Sequence, residues 1–250
     1  TQVFMLIFVI PAYNEAQNIA RLLDETHAYA TGQNLSYRLI VVDDGSVDHT
    51  ADIVQERSSR YPCEVVRYTP NQGVGQAFRR GFLRALESVA DDDYIVTIEA
   101  DRTGDLGILK ELLNLMRSGC EVALASCYAK DGRIENTSWS RLFLSRAANA
   151  LISFFFPMKG IHTFSSFYRV YDPRVLKKVK SAYGDFYEEK GFACMIELLV
   201  RISRLGARIG EVPMILRSQN RRGKSKMKIL PTILGYFRVI RRNAFARPKS

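Results

Sequence analysis

Nitrogen and sulfur ligands are scarce in this chain of 250 residues, which holds three histidines and four cysteines. His27, His49 and His162 stand in no catalytic pattern. Cys63, Cys120, Cys127 and Cys194 form no C-x-x-C pair and no metal-ligand spacing, so buried free thiols in a reduced, cytosol-facing protein are the expectation. Long apolar runs are missing too. No stretch reaches the roughly 18 residues that a membrane-spanning helix needs, and the two longest candidates, 147–158 and 229–240, are interrupted by polar residues and by Pro157 and Pro231. No signal peptide is expected, because the first residues lead straight into a strand pattern. Internal repeats and low-complexity segments are absent.

Acidic residues are also absent from Arg217 onward, where eleven of the 36 Lys/Arg fall, so the net charge of +10 belongs to this last segment. Such a segment suits an anionic partner: phosphate, acidic lipid headgroups or nucleic acid. Nucleic acid ranks lowest, since no regular aromatic interleave accompanies the charge. With 47% hydrophobic and 25% charged residues the composition is otherwise that of an ordinary globular protein, long enough for one sizeable domain.

What is present is an alternation of strands and helices. Apolar or β-branched runs at 3–10, 37–42, 64–68, 94–98, 122–125 and 207–216 read as strands. Helices are expected after Asn14-Glu-Ala-Gln17, which resembles a capping box, then at 48–61, from 71 through the face Val74, Ala77, Phe78, Phe82, Ala85, and at 106–116, 191–205 and 229–239. The segment 139–156 is helical and apolar nearly all round, open to a core or to a lipid-facing reading. Short connections of this kind imply a parallel sheet covered on both faces, with ligands at the carboxyl ends of the strands.

Three of those strand ends carry polar clusters: Pro11-Ala-Tyr-Asn-Glu15, Asp43-Asp-Gly-Ser46 and Glu99-Ala-Asp101. They should share one rim. Glu99 and Asp101, two residues apart, project to the same side if the strand persists, and two hard oxygen ligands there could hold Mg²⁺ or Mn²⁺ on a diphosphate. A polar strand end is the plain alternative for this pair, and simple turn residues for Pro11, Asp44 and Gly45.

The combination of these clusters resembles the family 2 glycosyltransferases of the GT-A fold. Asn71-x-Gly-x-Gly-x-Ala77, the Trp139/Arg141/Ser145 helix, Ser166-Phe-Tyr-Arg169, Gly210-Glu-Val-Pro213 and Gly223-Lys-Ser-Lys226 narrow the resemblance to the dolichol-phosphate mannose synthase branch, which uses polyprenyl phosphate acceptors. The resemblance spans residues 3–228 and implies a single α/β, Rossmann-like GT-A domain, with a mostly parallel sheet flanked by helices and a C-terminal acceptor-side helix and basic loop. Within it, 1–127 would form the nucleotide-sugar half, 128–228 the acceptor half and 229–250 a basic tail.

It implies a donor site of Pro11, Tyr13, Glu15, Asp43, Asp44, Gly73 and Ala100, and a metal held by Glu99, Asp101 and Thr103. Arg141, Ser145, Arg169, Arg222, Ser225 and Lys226 would face phosphates, with Asp101, Arg141 and Arg169 central to catalysis. Implied partners are a nucleoside diphosphate sugar (GDP-mannose first, a UDP-sugar second), a polyprenyl phosphate, an anionic cytoplasmic membrane surface bound peripherally, and an anchoring subunit. The chain departs from the branch at several points. Glu99 and Thr103 stand in a usual D-A-D-L-Q, Cys127 replaces an Arg, Phe167 a Gly, and Asn220 an Arg beside Arg221 and Arg222. Two readings compete: transfer to a sugar hydroxyl, which would need a carboxylate base such as Glu188, Glu189 or Glu197, and a non-catalytic nucleotide-sugar binder.

Overall fold

The computed structural model describes residues 4–223 and 226–244. Its first half alternates as expected: β1 (Met5–Ala12), α1 (Ile19–Gly32), β2 (Ser36–Asp44), α2 (Thr50–Arg57), β3 (Cys63–Tyr68), α3 (Val74–Leu86) and β4 (Tyr94–Thr97). A 3₁₀ turn then leads into α4 (Leu109–Arg117), followed by β5 (Val122–Ser126), the short β6 (Arg133–Glu135) and α5 (Trp139–Phe155). The chain closes with β7 (Arg169–Tyr171), α6 (Pro173–Tyr183), α7 (Cys194–Arg204), β8 (Ile209–Pro213), β9 (Ile215–Arg217) and α8 (Ile229–Asn243).

Seven strands form one sheet in the order β3-β2-β1-β4-β7-β5-β8, and β6 pairs with β9 in a separate ribbon. Successive side chains of a strand face opposite ways. Leu6, Phe8 and Ile10 of β1 therefore meet α1 and α4, while Ile7 and Val9 meet α3, α6 and α7. A third apolar cluster joins Ile152 and Phe156 to Leu199 and Val239, where α5, α7 and α8 converge.

The sheet is mostly parallel, as expected; within it β7 runs antiparallel to both neighbours, with Arg169 between Thr97 and Leu124. Three expectations need correction. The Asn14–Gln17 stretch is no capping box; α1 starts at Ile19 after Asn18, and the polar groups before it tie loops together instead. The strand expected over 207–216 splits at Met214, after Pro213, which has no amide hydrogen for the ladder. Finally α6 lies where no helix was expected, although Asp172 caps it, Pro173 opens it and Gly184 ends it in the left-handed region.

α5 has one buried and one exposed side. Ile152 is buried, while Trp139 and Phe154 are each 80% exposed, with Phe143, Leu144 and Phe155 exposed beside them. α8 is similar: Thr232, Gly235 and Val239 face inward, and Leu230, Leu234 and Phe237 face out. Both helices thus turn large apolar side chains to the surface.

Candidate active site

The polar strand ends do share one rim, and their hydrogen bonds show how it is assembled. After β1, Asn14 donates its amide to Ser46 Oγ at 2.9 Å, and its Oδ1 accepts from Val47 N at 2.9 Å. Glu15 N donates to Thr50 Oγ1 at 2.8 Å. The first two loops are laced to each other in this way. After β2, Asp44 accepts from Gln72 N at 2.7 Å and from Gly73 N and Asn71 Nδ2 at 2.9 Å each. Its carboxylate organises the loop that opens α3.

Glycine is required there by space. Gly73 sits at φ +95, and a Cβ on it would lie 2.7 Å from the Lys190 carbonyl oxygen. Gly75 donates its amide to that same oxygen at 2.8 Å, and a Cβ there would come 2.6 Å from the Glu189 oxygen. The α3 entrance is thereby pressed against the 187–191 loop.

β4 ends at Thr97, so Glu99 and Asp101 do not meet by strand pleat as expected. The chain turns at 100–101 and Arg102 takes φ +64. The turn still brings both carboxylates to one cavity. Asp101 Oδ1 accepts from Thr103 N at 3.1 Å and Thr103 Oγ1 at 2.8 Å. Its Oδ2 accepts from Arg221 Nε at 2.6 Å and also from Arg221 Nη2. Burial, and after it the neighbouring Asp101 charge, pushes the Glu99 carboxyl up to about 8, with Arg221 pulling the other way.

Two carboxylates lining one cavity, one of them raised by burial and by its neighbour's charge, could hold a hard divalent cation. Among the described residues no cluster of three or more His, Cys, Asp or Glu is set to hold a metal. The pair would therefore complete its coordination with substrate oxygens.

The segment after β9 crosses over this rim. Arg217 N donates to Thr103 O at 3.0 Å, and Arg217 Nη1 to Asp105 Oδ2 at 2.7 Å. Arg222 exchanges backbone bonds of 2.9 Å each with the Asn18 side chain. Lys226 Nζ donates to Glu15 Oε1 at 2.7 Å and Asn14 O at 2.9 Å. Beneath lies a cavity of about 730 Å³. Its lining includes Pro11, Tyr13, Glu15, Asp44, Gly73, Glu99, Ala100, Asp101 and Thr103, together with Arg141, Ser145, Lys226 and apolar neighbours. Tyr128 OH donates to Ser145 Oγ at 2.7 Å, fixing that hydroxyl at the wall.

Three expected site residues do not reach this cavity by their side chains. Arg169 is fully buried, and its guanidinium donates to the carbonyls of Ser166 at 2.7 Å and of Met195 and Phe164 at 2.8 Å. It cannot meet an acceptor phosphate; it holds the 163–167 loop, which supplies Ser165 and Phe167 to the wall. Asp43 is fully buried, accepts from Ser46 N at 3.0 Å, and lies outside the lining. Arg222 is exposed and joins the site through its backbone. Ser225 lies outside the described residues.

Arg221 was not expected from the sequence, nor were Asn71 and Tyr236, which also line the cavity. The three carboxylates weighed as bases for a hydroxyl acceptor are absent from the lining. Glu197 pairs with Arg201 at 2.9 Å and Glu189 with Arg238 at 2.7 Å, both nearly or fully buried, while the exposed Glu188 meets Arg201 at 3.1 Å.

The description "Glycosyl transferase family 2" matches residues 7–180. The chain is 32% identical over 225 residues to a polyprenol monophosphomannose synthase of Mycolicibacterium smegmatis, covering 88% of this chain and 80% of that protein. It is 34% identical over 140 residues to a dolichol-phosphate mannosyltransferase of Pyrococcus furiosus, covering 56% of this chain but only 38% of that one. In fold it resembles the glucosyl-3-phosphoglycerate synthase of Mycobacterium tuberculosis, crystallised with Mn²⁺, uridine diphosphate and phosphoglyceric acid. The TM-score is 0.67 at 18% identity, over 99% of this chain and 80% of the other.

Proposed function

This chain belongs to glycosyl transferase family 2, and from that membership we propose that it transfers a sugar, with inversion, from a nucleoside diphosphate to a polyprenyl phosphate. GDP-mannose is the first donor to test and a UDP-sugar the second, because the two relatives are named as mannose transferases. The carrying observation is the make-up of the cavity lining. Arg141 and apolar side chains share it with Glu99 and Asp101, and the candidate bases for a hydroxyl acceptor are spent in ion pairs elsewhere. A phosphate monoester, with its second pKa near ~6, is largely ionised at neutral pH and attacks without a strong base.

The donor diphosphate would lie over Glu99 and Asp101. A divalent cation there, Mg²⁺ or Mn²⁺, would neutralise the leaving group as charge develops. Asp44 and Gly73 shape the loop that would receive the nucleoside, and Glu15 is held in place by Asn18 and Lys226. Arg141 of the same lining would hold the acceptor phosphate through its planar fork. Lys226 would close over the phosphates and exclude water. In this reading residues up to 127 serve the donor and 128–228 mainly the acceptor, with Ser225 a phosphate ligand of the same loop.

Among the described residues no helix is long and apolar enough to cross a membrane. The exposed faces of α5 and α8 are the proposed contact with lipid, at the cytoplasmic face. Leu144, Met227 and Ile229 are exposed and line the cavity as well, so the apolar surface runs into the cavity. Basic residues of the C-terminal segment would add attraction to acidic headgroups. An anchoring subunit is the alternative cover for the same face.

The donor half of the proposal is tested by melting the protein with Mn²⁺ and a panel of sugar nucleotides. GDP-mannose should raise the melting temperature most. Stabilisation by none of the panel would remove the donor assignment.

A further inference from the structure

We propose that Arg221 is a phosphate-binding residue of the donor site, stored on Asp101 until metal and nucleotide arrive. The inference rests on the nucleotide-sugar reading above and adds a residue and an order of events to it.

Every oxygen of Asp101 is occupied by protein. Thr103 takes Oδ1 through two bonds, and Arg221 takes Oδ2 through two N–H groups. A divalent cation needs a free carboxylate lone pair, and Oδ2 is the one that can be released by a side chain. Guanidinium and metal ion therefore compete for one oxygen. Both are cations, so they cannot share it at close range without strong repulsion.

The backbone allows the exchange without the strap lifting. Upstream, Arg217 is fixed to Thr103 O and Asp105. Immediately downstream, Arg222 is fixed to Asn18 through both its amide and its carbonyl. Arg221 sits between these anchors with only its long side chain reaching the metal pair, so rotation about its side-chain bonds suffices. Once displaced, it needs a new anion. Glu15 is already engaged by Lys226 and Asn18, and Glu25 beside the strap is taken by Arg102. The donor diphosphate, which brings the metal's remaining oxygens into the same cavity, is the anion whose geometry matches a guanidinium fork. The guanidinium paired with Asp101 would become a phosphate clamp once metal and nucleotide bind.

The test uses nucleotide-free protein and two variants. Mn²⁺ binding is measured alone by the loss of the free-ion paramagnetic signal, and GDP and UDP binding by calorimetry at saturating Mn²⁺. Removing the competitor in Arg221→Gln should tighten Mn²⁺ binding about tenfold and weaken nucleotide binding about tenfold, the size expected for one partly buried charge-assisted pair. Arg221→Lys keeps a cation without the fork, so Mn²⁺ affinity should stay near wild type while nucleotide affinity falls. Equal Mn²⁺ affinity in wild type and Arg221→Gln, or weaker binding in the variant, overturns the stored-cation role. Unchanged nucleotide affinity in both variants overturns the phosphate role. If wild type binds neither GDP nor UDP with any Mn²⁺ present, the nucleotide-sugar reading fails first and this one with it.

Discussion

Asp101 is the residue on which the site turns, because it bonds Thr103 and Arg221 and its charge acts on the Glu99 carboxyl. Asp101→Asn should lower sugar transfer at least ~100-fold, the scale of losing a group that organises transition-state charge. Its melting temperature should stay within a few degrees of wild type; transfer within a few-fold of wild type would remove Asp101 from the metal site. Arg169 demands a different expectation. Replacing it by Met leaves the carbonyls of Phe164, Ser166 and Met195 without their donor. That should cost roughly 3 kcal/mol in a urea unfolding measurement, with no selective effect on acceptor KM; a selective acceptor effect at full stability would restore it to the binding site. Cys127 is inert for a physical reason: burial pushes its thiol up to about 11. A raised thiol pKa leaves the neutral form in place below that value, so iodoacetamide at pH 8 should not label Cys127 in the native protein. Rapid native labelling would mean the residue is accessible and ionised.

At the scale of elements, α5 and α8 carry the membrane proposal. Leu230, Leu234 and Phe237 lie on one outward stripe of α8, and Trp139 and Phe143 on α5. Leu230→Glu with Phe237→Glu should reduce co-sedimentation with acidic vesicles several-fold without lowering the melting temperature, because neither side chain belongs to the core. Unchanged sedimentation would assign the face to a protein partner. The α3 entrance makes an opposite case. Gly75→Ala would place a methyl 2.6 Å from the Glu189 carbonyl oxygen and force α3 away from the 187–191 loop. Donor binding should weaken together with stability there.

Elements also show what the sequence could reveal. The rim was legible because parallel strands β1 and β2 end in polar clusters, and topology alone gathers strand ends. The turn at Arg102 was not, since left-handed backbone at a non-glycine residue leaves no pattern in composition. β7 spans three residues, too few for periodicity, and its antiparallel entry depends on the path of the long 156–168 connection. α6 had readable end signals in Asp172, Pro173 and Gly184. The pairing of Arg221 with Asp101 could not be read: the two lie 120 positions apart, and a contact over such a distance exists only once the chain is folded.

For the whole molecule, strand-end loops of the sheet and the helices α5 and α8 line one cavity, and the account holds that it receives a lipid-borne phosphate beside the donor. In this proposal the outward faces of α5 and α8 would meet the lipid that carries that substrate. The most direct measurement is transfer of labelled sugar from GDP-mannose, with Mn²⁺, to vesicles containing either polyprenyl phosphate or the same polyprenol without its phosphate. The account predicts label in the lipid fraction only with the phosphate, and loss of that label in Asp101→Asn. Equal labelling of the free polyprenol, or labelling of a free saccharide while polyprenyl phosphate stays unmodified, would contradict it.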